Sequence, residues 1–450
     1  MFWANFLHIY QPPTQKELWV RRIADESYRK VFSGLLNIKR ARLTLNINGI
    51  LCELLEQYGG RDILENIKIL LDRGNLELTG SAKYHPFLPL LPEQEVERQI
   101  MLNEESLNKY FGSKWKKGGF FSPEMAYSRK VAESAAKLGY KWIIVDELAF
   151  PGGRKPSPET LYKIRGLDLY VFFRERNLSF TILSAQIGTV PTVLRYLGDR
   201  IGKNEYLVTA MDGETFGHHR PGLELLLFDL LAEEKINPVQ ISDLLNKFNK
   251  IEEIDPREST WAATKNNMVE GEPYARWNNK NNPIQLKQWE LTHLAIGIAH
   301  RSPEDQNLRA LLDRSLHSDQ YWWSSARPWW SLEMIERGAF ELRSVVLGSA
   351  TATGAEKQKA EDLYREIIYT GFEWQRSGLV DQISRQEDEE TLERLEEKEK
   401  LFVTKAEYRE MIRVLGEQVK LAANAEEYHR AAMIKDRIRE LKEEVEKAKE

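Results

Sequence analysis

The chain has 450 residues, 42% of them hydrophobic and 30% charged, with a formal net charge of −5. That length allows two or three domains and a large core, while the mild charge gives no global attraction to nucleic acid or an anionic membrane. Cys52 is the only cysteine, which excludes an intramolecular disulfide and a cysteine-rich zinc site.

The N-terminus, "MFWANFLHIYQPP", is apolar for only about eight residues and lacks a basic leader, so it reads poorly as a signal peptide. No stretch reaches the roughly 20 apolar residues of a membrane helix, and a cytoplasmic location is expected. Up to about residue 235, short apolar runs alternate with amphipathic segments. "FWANFLHI", "ARLTLNI", "NLELTG", "GGFFS", "KWIIVDE", "LYVFF" and "YLVTAM" read as buried strands, rich in β-branched and aromatic residues and bounded by Gly, Pro or charge. Between several of them lie helical patterns, among them "SRKVAESAAKLGY", with Ser128 as its expected N-cap and Gly139 just past its end. Strand–helix alternation implies a parallel sheet with right-handed crossovers. About seven strands favour a barrel, with an open doubly wound sheet as the alternative; in either, polar residues at strand C-termini face the functional side.

From about 222 to 375 the pattern is mostly helical, interrupted by a tryptophan-bearing loop region around 257–290. Beyond 376 the chain turns charge-dense: "RQEDEETLERLEEKEK" reads as a solvated helix face. The segment after it reads as a two-helix hairpin broken near Ala423–Asn424. The expected division is a barrel over 1–290, a helical bundle over 291–375, and a linker helix with the hairpin over 376–450.

Four polar clusters fall at or just after expected strand ends: His8, Gln11 and Pro12; Glu77, Gly80 and His85; Glu124; and Asp212 with Glu214. In a parallel barrel all would gather around one mouth. Two carboxylates from different strand ends suit a glycosidase, which needs one to attack or activate water and one to protonate the leaving oxygen. Glu124 and Asp212 meet that requirement. The apolar neighbours Ala210, Met211 and Phe216 would raise the Asp212 pKa, as a general acid needs. Gly213 and Gly217 would let the backbone approach a substrate closely. His218 and His219 are adjacent and make poor joint ligands for one ion.

The segments "HIYQPP", "GSAKYHPFLPLLP", "GGFFSPEMAY" and "AMDGETFGHH", followed by "STWAATKNN", "YARWNNKNNP" and "YWWSSARPWWSLEMIE", resemble the ordered motifs of glycoside hydrolase family 57 over residues 1–375. The resemblance implies an α/β fold, an incomplete (β/α)7 barrel followed by a helical domain, acting on α-glucans by a retaining mechanism without a metal or other cofactor. It places the nucleophile on Glu124 and the acid/base on Asp212. It also places His8, Glu77 and the tryptophan motif, with Trp261 and Trp277, around the sugar, and Gln11, His85, Glu214 and His218 with them as substrate contacts. One departure is Tyr10, where the family usually has a second histidine. Tyrosine offers a hydroxyl and an aromatic face but no cation near neutral pH.

In the hairpin, "EEYHRAAMIKDRIREL" resembles the UVR motif, with Tyr428, Ala431, Ala432, Asp436, Ile438 and Leu441 matching; it implies docking to a protein partner or a second copy through residues 405–448. Two other functions are compatible with the residues. One is a metal-dependent polysaccharide deacetylase built on His8, His85, His218 and His219. The other is a non-catalytic glucan-binding protein whose hairpin recruits a partner. The cluster Trp322, Trp323, Trp329 and Trp330 is expected to pack between helices.

Overall fold

The computed structural model describes residues 1–327, 329–387, 403–424 and 428–447. Ten strands are present among them: β1 (Phe2–Ile9), β2 (Leu43–Ile47), β3 (Leu76–Leu78), β4 (Gly119–Phe120), β5 (Trp142–Asp146), β6 (Leu161–Ile164), β7 (Tyr170–Arg174), β8 (Tyr206–Asp212), β9 (Asn237–Val239) and β10 (Ile251–Ile254). They form one sheet of order β3-β2-β1-β8, with β9 also on β1, and a second of order β10-β6-β7-β5-β4. A parallel bridge from Gly80 to Phe120 joins β3 to β4, and the Glu175 amide donates to the Val208 carbonyl at 2.8 Å, tying β7 to β8. The result is a curled, mainly parallel α/β sheet.

Sequence character explains the layering. β1 is buried along nearly its whole length because helices cover one face and the curled sheet covers the other, so its side chains show no polar alternation. The helix Arg129–Lys137 has the expected cap: the Ser128 side chain accepts from Val131 N, and Gly139 past its end has φ +89°. All seven expected strands are present. β9 and β10 lie in the stretch read as helical, and β6 pairs antiparallel to β7.

The helix Pro283–His300 begins at an Asn282 cap, crosses the expected division at 290, and packs with Leu332–Gly348 and Gly354–Ser377. The helix Gln306–Ser315 is fixed to Glu93–Phe111 by buried charge. Arg309 donates to both oxygens of Glu95 at 3.0 and 2.9 Å, and Arg98 holds Asp313 through bonds of 2.8 and 2.7 Å. Removing one partner of such a group leaves an uncompensated buried charge. The lock matters because the three residues His317–Ser318–Asp319 follow directly.

The acidic run lies, from residue 388 onward, outside the described residues. Beyond it, the helices Lys405–Asn424 and Tyr428–Lys447 share an apolar seam with Met411, Leu415, Ala431, Ile434 and Leu441 buried. Ala432, expected in the seam, is exposed; one position from Ala431 turns a side chain about a quarter of the way round a helix. The Tyr428 side chain lies outside the described residues. The pair also contacts the rest of the chain. Arg195 and Thr192 hold Glu407, Met411 lies over Gly188 and Leu415 over Gly222, and Arg437 donates to the Ala185 carbonyl at 2.9 Å. Part of the face expected to take a partner is therefore occupied within this chain.

Candidate active site

β1 carries His8 directly beside Asp212 on β8 and beside Asn46 on β2. Just past β4, Glu124 sits in a tight turn with φ +61°, a left-handed conformation that is costly for a side chain with a Cβ. His85 is also left-handed, with φ +57°. Backbone strain at two neighbouring polar residues marks a place where the surrounding contacts dictate conformation.

Glu124 is gripped from both sides. Trp261 Nε1 donates to its Oε2 at 3.0 Å and Ser318 Oγ donates to its Oε1 at 3.2 Å. Behind it runs a chain of contacts. His85 Nδ1 lies 3.0 Å from Ser318 Oγ, His85 Nε2 lies 3.1 Å from His8 Nε2, and His8 Nδ1 lies 2.8 Å from Asn46 Oδ1. Tyr10 stacks on His85, with centroids 4.0 Å apart, and donates to Asp319 Oδ2 at 2.7 Å. His317 Nδ1 lies 3.2 Å from the same oxygen.

Two layers result. Glu124, Asp212, Tyr10, Trp261 and Asp319 keep partial exposure, whereas His8, His85, Gln11, Glu214, His317 and Ser318 are buried behind them. Burial sets the ionisation. It raises Glu124 to about 8, helped by the charges of Asp319 and Asp212 and opposed by the Trp261 and Ser318 bonds. Burial lifts Asp212 to about 6 against the pull of Arg174. His8 falls to about 4 through burial, and burial likewise holds His85 well below its usual range. Burial would raise Asp319, but its bonds and charge contacts with His317, together with His85 and Tyr10, hold it low. The site therefore keeps one firm negative charge at Asp319 and two neutral imidazoles.

Several of the residues expected to contact substrate already hold protein partners. Glu214 accepts from Tyr28 Oη, from the Tyr10 amide at 3.3 Å and from Gln11 Nε2 at 3.5 Å, so Glu214 and Gln11 brace the loop. Glu77 lies lower on β3, where its carboxylate accepts from Thr44 Oγ1 at 2.7 Å and Ser242 N at 3.1 Å. The structure does not bring it to the group around Glu124. His218 is held by Glu26 at 2.5 Å. Trp277 is fully buried against Phe87 and Trp322, so its ring is core and offers no face to a sugar. A Cβ on Gly213 would lie 2.4 Å from Ile9, and one on Gly217, with φ +110°, 2.1 Å from the Glu26 carbonyl. These glycines admit the protein's own neighbours rather than a ligand. Trp322, Trp323 and Trp330 pack on the core, while Trp329 is exposed.

Ser318, Asp319, His317 and Arg174 belong to the site without having been singled out in the sequence. The first three precede "QYWW" by only a few positions, so the signal was the "HSD" triplet beside that motif. Among the described residues no group of three or more His, Cys, Asp or Glu side chains is arranged to hold a metal ion, and no helix is long and apolar enough to cross a membrane.

The model of glycosyl hydrolase family 57 matches residues 8–256. An α-amylase of Pyrococcus horikoshii is 23% identical over 261 residues, covering 54% of this chain and 40% of that protein. Among solved structures, a 4-α-glucanotransferase of Thermococcus litoralis superposes with a TM-score of 0.61 at 20% identity, over 76% of this chain and 58% of that one. A family 57 branching enzyme of Thermococcus kodakaraensis gives 0.63 at 16% identity, over 82% and 96%. The chain thus spans well under two thirds of the curated amylase it matches, and these structural likenesses speak for the fold.

Proposed function

Because the chain belongs to glycosyl hydrolase family 57, whose model covers more than half of it, we propose that it is a retaining glycosidase or transglycosylase acting on α-glucans. The activities by which its relatives are named, α-amylase, 4-α-glucanotransferase and branching enzyme, support that substrate class. The β1–β5, β7 and β8 strands are then those of an incomplete (β/α)7 barrel.

In this reading a Glu124 carboxylate oxygen attacks the anomeric carbon. The bond to the glycosidic oxygen breaks, and Asp212 gives that oxygen its proton. In the second half Asp212 takes a proton from water or from an acceptor hydroxyl. The resulting oxygen attacks the same carbon and releases Glu124. The carboxyls of a retaining pair stand about 5–5.5 Å apart. Trp261 and Ser318 orient the nucleophile, and Tyr10 and Asp319 line the opening beside it.

The observation that carries the reading is the chain of contacts between the elements that bear the two carboxylates. His8, beside Asp212 in register, meets His85, and His85 meets the Ser318 that binds Glu124; both carboxylates keep partial exposure. Incubation with a panel of α-1,4-glucans, with products resolved by chain length and linkage, tests it. Shortened, redistributed or branched chains are expected, and their loss in Glu124→Gln. An unchanged panel in the native protein contradicts the reading.

A further inference from the structure

Beside this site lies a cleft of about 750 Å3, lined on the sheet side by residues such as Thr14, Tyr58 and Tyr84 and on the helical side by Arg314, Phe340 and Glu341. Sites for small organic ligands measure about 300–1,000 Å3. Tyr10 is the partition. It packs with Tyr58 and Tyr84 around Ile50 and Leu54, and its ring stacks on His85. Gln15 also lines the cleft and donates to Gln11 Oε1 at 2.9 Å, so cleft and catalytic group share a wall.

The charged groups of the cleft already hold protein partners. Glu53 pairs with Lys83 at 2.7 Å, Glu336 accepts from Tyr364 Oη at 2.6 Å, and Glu341 pairs with Arg314 at 2.8 Å. Arg337 donates to the Thr14 carbonyl at 2.9 Å and pairs with Glu333 at 2.9 Å. The lining arginines Arg314 and Arg337 are both paired with carboxylates, so a phosphate finds no uncompensated cation there. What remains is aromatic surface, including Phe340 at 48% exposure, among fixed donors and acceptors. Aromatic faces for C–H surfaces and fixed polar groups for hydroxyls suit a neutral polyhydroxylated ring.

We propose that this cleft binds a stretch of α-glucan chain remote from the bond being broken, so that it sets preference for longer chains. The inference rests on the α-glucan reading of the neighbouring site.

Binding of maltoheptaose and maltotriose to Glu124→Gln protein, measured by calorimetry, tests it. The double change Tyr58→Ala/Phe340→Ala in that background is expected to weaken maltoheptaose at least fivefold and maltotriose less than twofold. Gln57→Trp, at an exposed lining position, narrows the cleft and is expected to lower the same ratio. No binding of maltoheptaose, or an unchanged ratio in both variants, overturns the cleft. Absence of turnover by the native chain with the ratio change intact overturns the catalytic reading alone.

Discussion

His8 and His85 face each other through their Nε2 atoms at 3.1 Å, so one ring donates and the other accepts. The direction follows from the ends. Asn46 Oδ1 only accepts, so His8 Nδ1 carries its hydrogen. Both rings are neutral, because burial lowers their pKa values. His8 Nε2 therefore accepts from His85 Nε2, which leaves His85 Nδ1 without a hydrogen. The single Ser318 hydrogen then has two acceptors within reach, His85 Nδ1 at 3.0 Å and Glu124 Oε1 at 3.2 Å, and its bond to Glu124 favours the carboxylate against burial.

The first prediction concerns pH. The reaction needs ionised Glu124 and protonated Asp212, yet the pKa values run about 8 and about 6. The competent form is then a minority between those limits. The kcat/KM profile for a maltooligosaccharide is expected to rise to a shoulder near pH 6, hold, and fall above pH 8. A profile with its maximum near pH 4 would contradict this ordering.

Trp261 supplies the shorter of the two bonds to Glu124. Trp261→Phe keeps an aromatic ring and removes the donor. Hydrogen bonds to charged groups contribute about 1.5–3 kcal/mol, so kcat/KM is expected to drop roughly 10- to 150-fold. Because the lost bond favoured the carboxylate, the alkaline limb moves upward. A loss of activity with both limbs unmoved points to a packing effect alone.

How much of this was legible in the sequence follows chemistry. Glu124 and Asp212 stood at strand ends within dense polar motifs, and β1 to β5 were apolar runs with clear stops. β9, "NPV", is short and contains Pro238, and β10, "IEEI", is an exposed edge. Neither shows the apolar run by which a buried strand is read. Ser318 and Asp319 reach the site from the junction between two helices, and distant contacts decide where that junction lands: the Glu95–Arg309 and Arg98–Asp313 pairs and the bond from Ser318 N to the His85 carbonyl. Trp277 misled because its polar neighbours in "YARWNNKNNP" read as loop while its ring is core.

Stability supplies the third prediction. The folded-state pKa of Glu124 is raised from 4.5 to about 8. Its contribution is therefore complete below pH 4.5 and is lost as pH rises through 8. At about 1.4 kcal/mol per unit, Glu124→Gln is expected to gain about 4 kcal/mol on the native protein between pH 4.5 and pH 8. Denaturant titrations at the two values check this, and an advantage independent of pH would refute it.

The C-terminal helix pair gives the fourth. Glu407 pairs with the partly exposed Arg195 at 2.7 Å and accepts from Thr192 Oγ1 at 3.0 Å. With solvent screening at Arg195, the contact contributes about 1 kcal/mol. Glu407→Ala is expected to speed amide exchange across 405–424 about fivefold while leaving β1 unchanged. Equal exchange in both proteins would show that the apolar seats at Gly188 and Gly222 hold the pair unaided.

The central claim is a covalent bond between a sugar and Glu124. Its most direct test is peptide mapping by mass spectrometry after reaction with an α-glucosyl fluoride bearing a second fluorine at C5, which slows release of the intermediate. The account predicts a glycosyl adduct on the peptide containing Glu124, absent from Glu124→Gln. A stable adduct on Asp212 or Asp319 instead, formed equally in that variant, would contradict it.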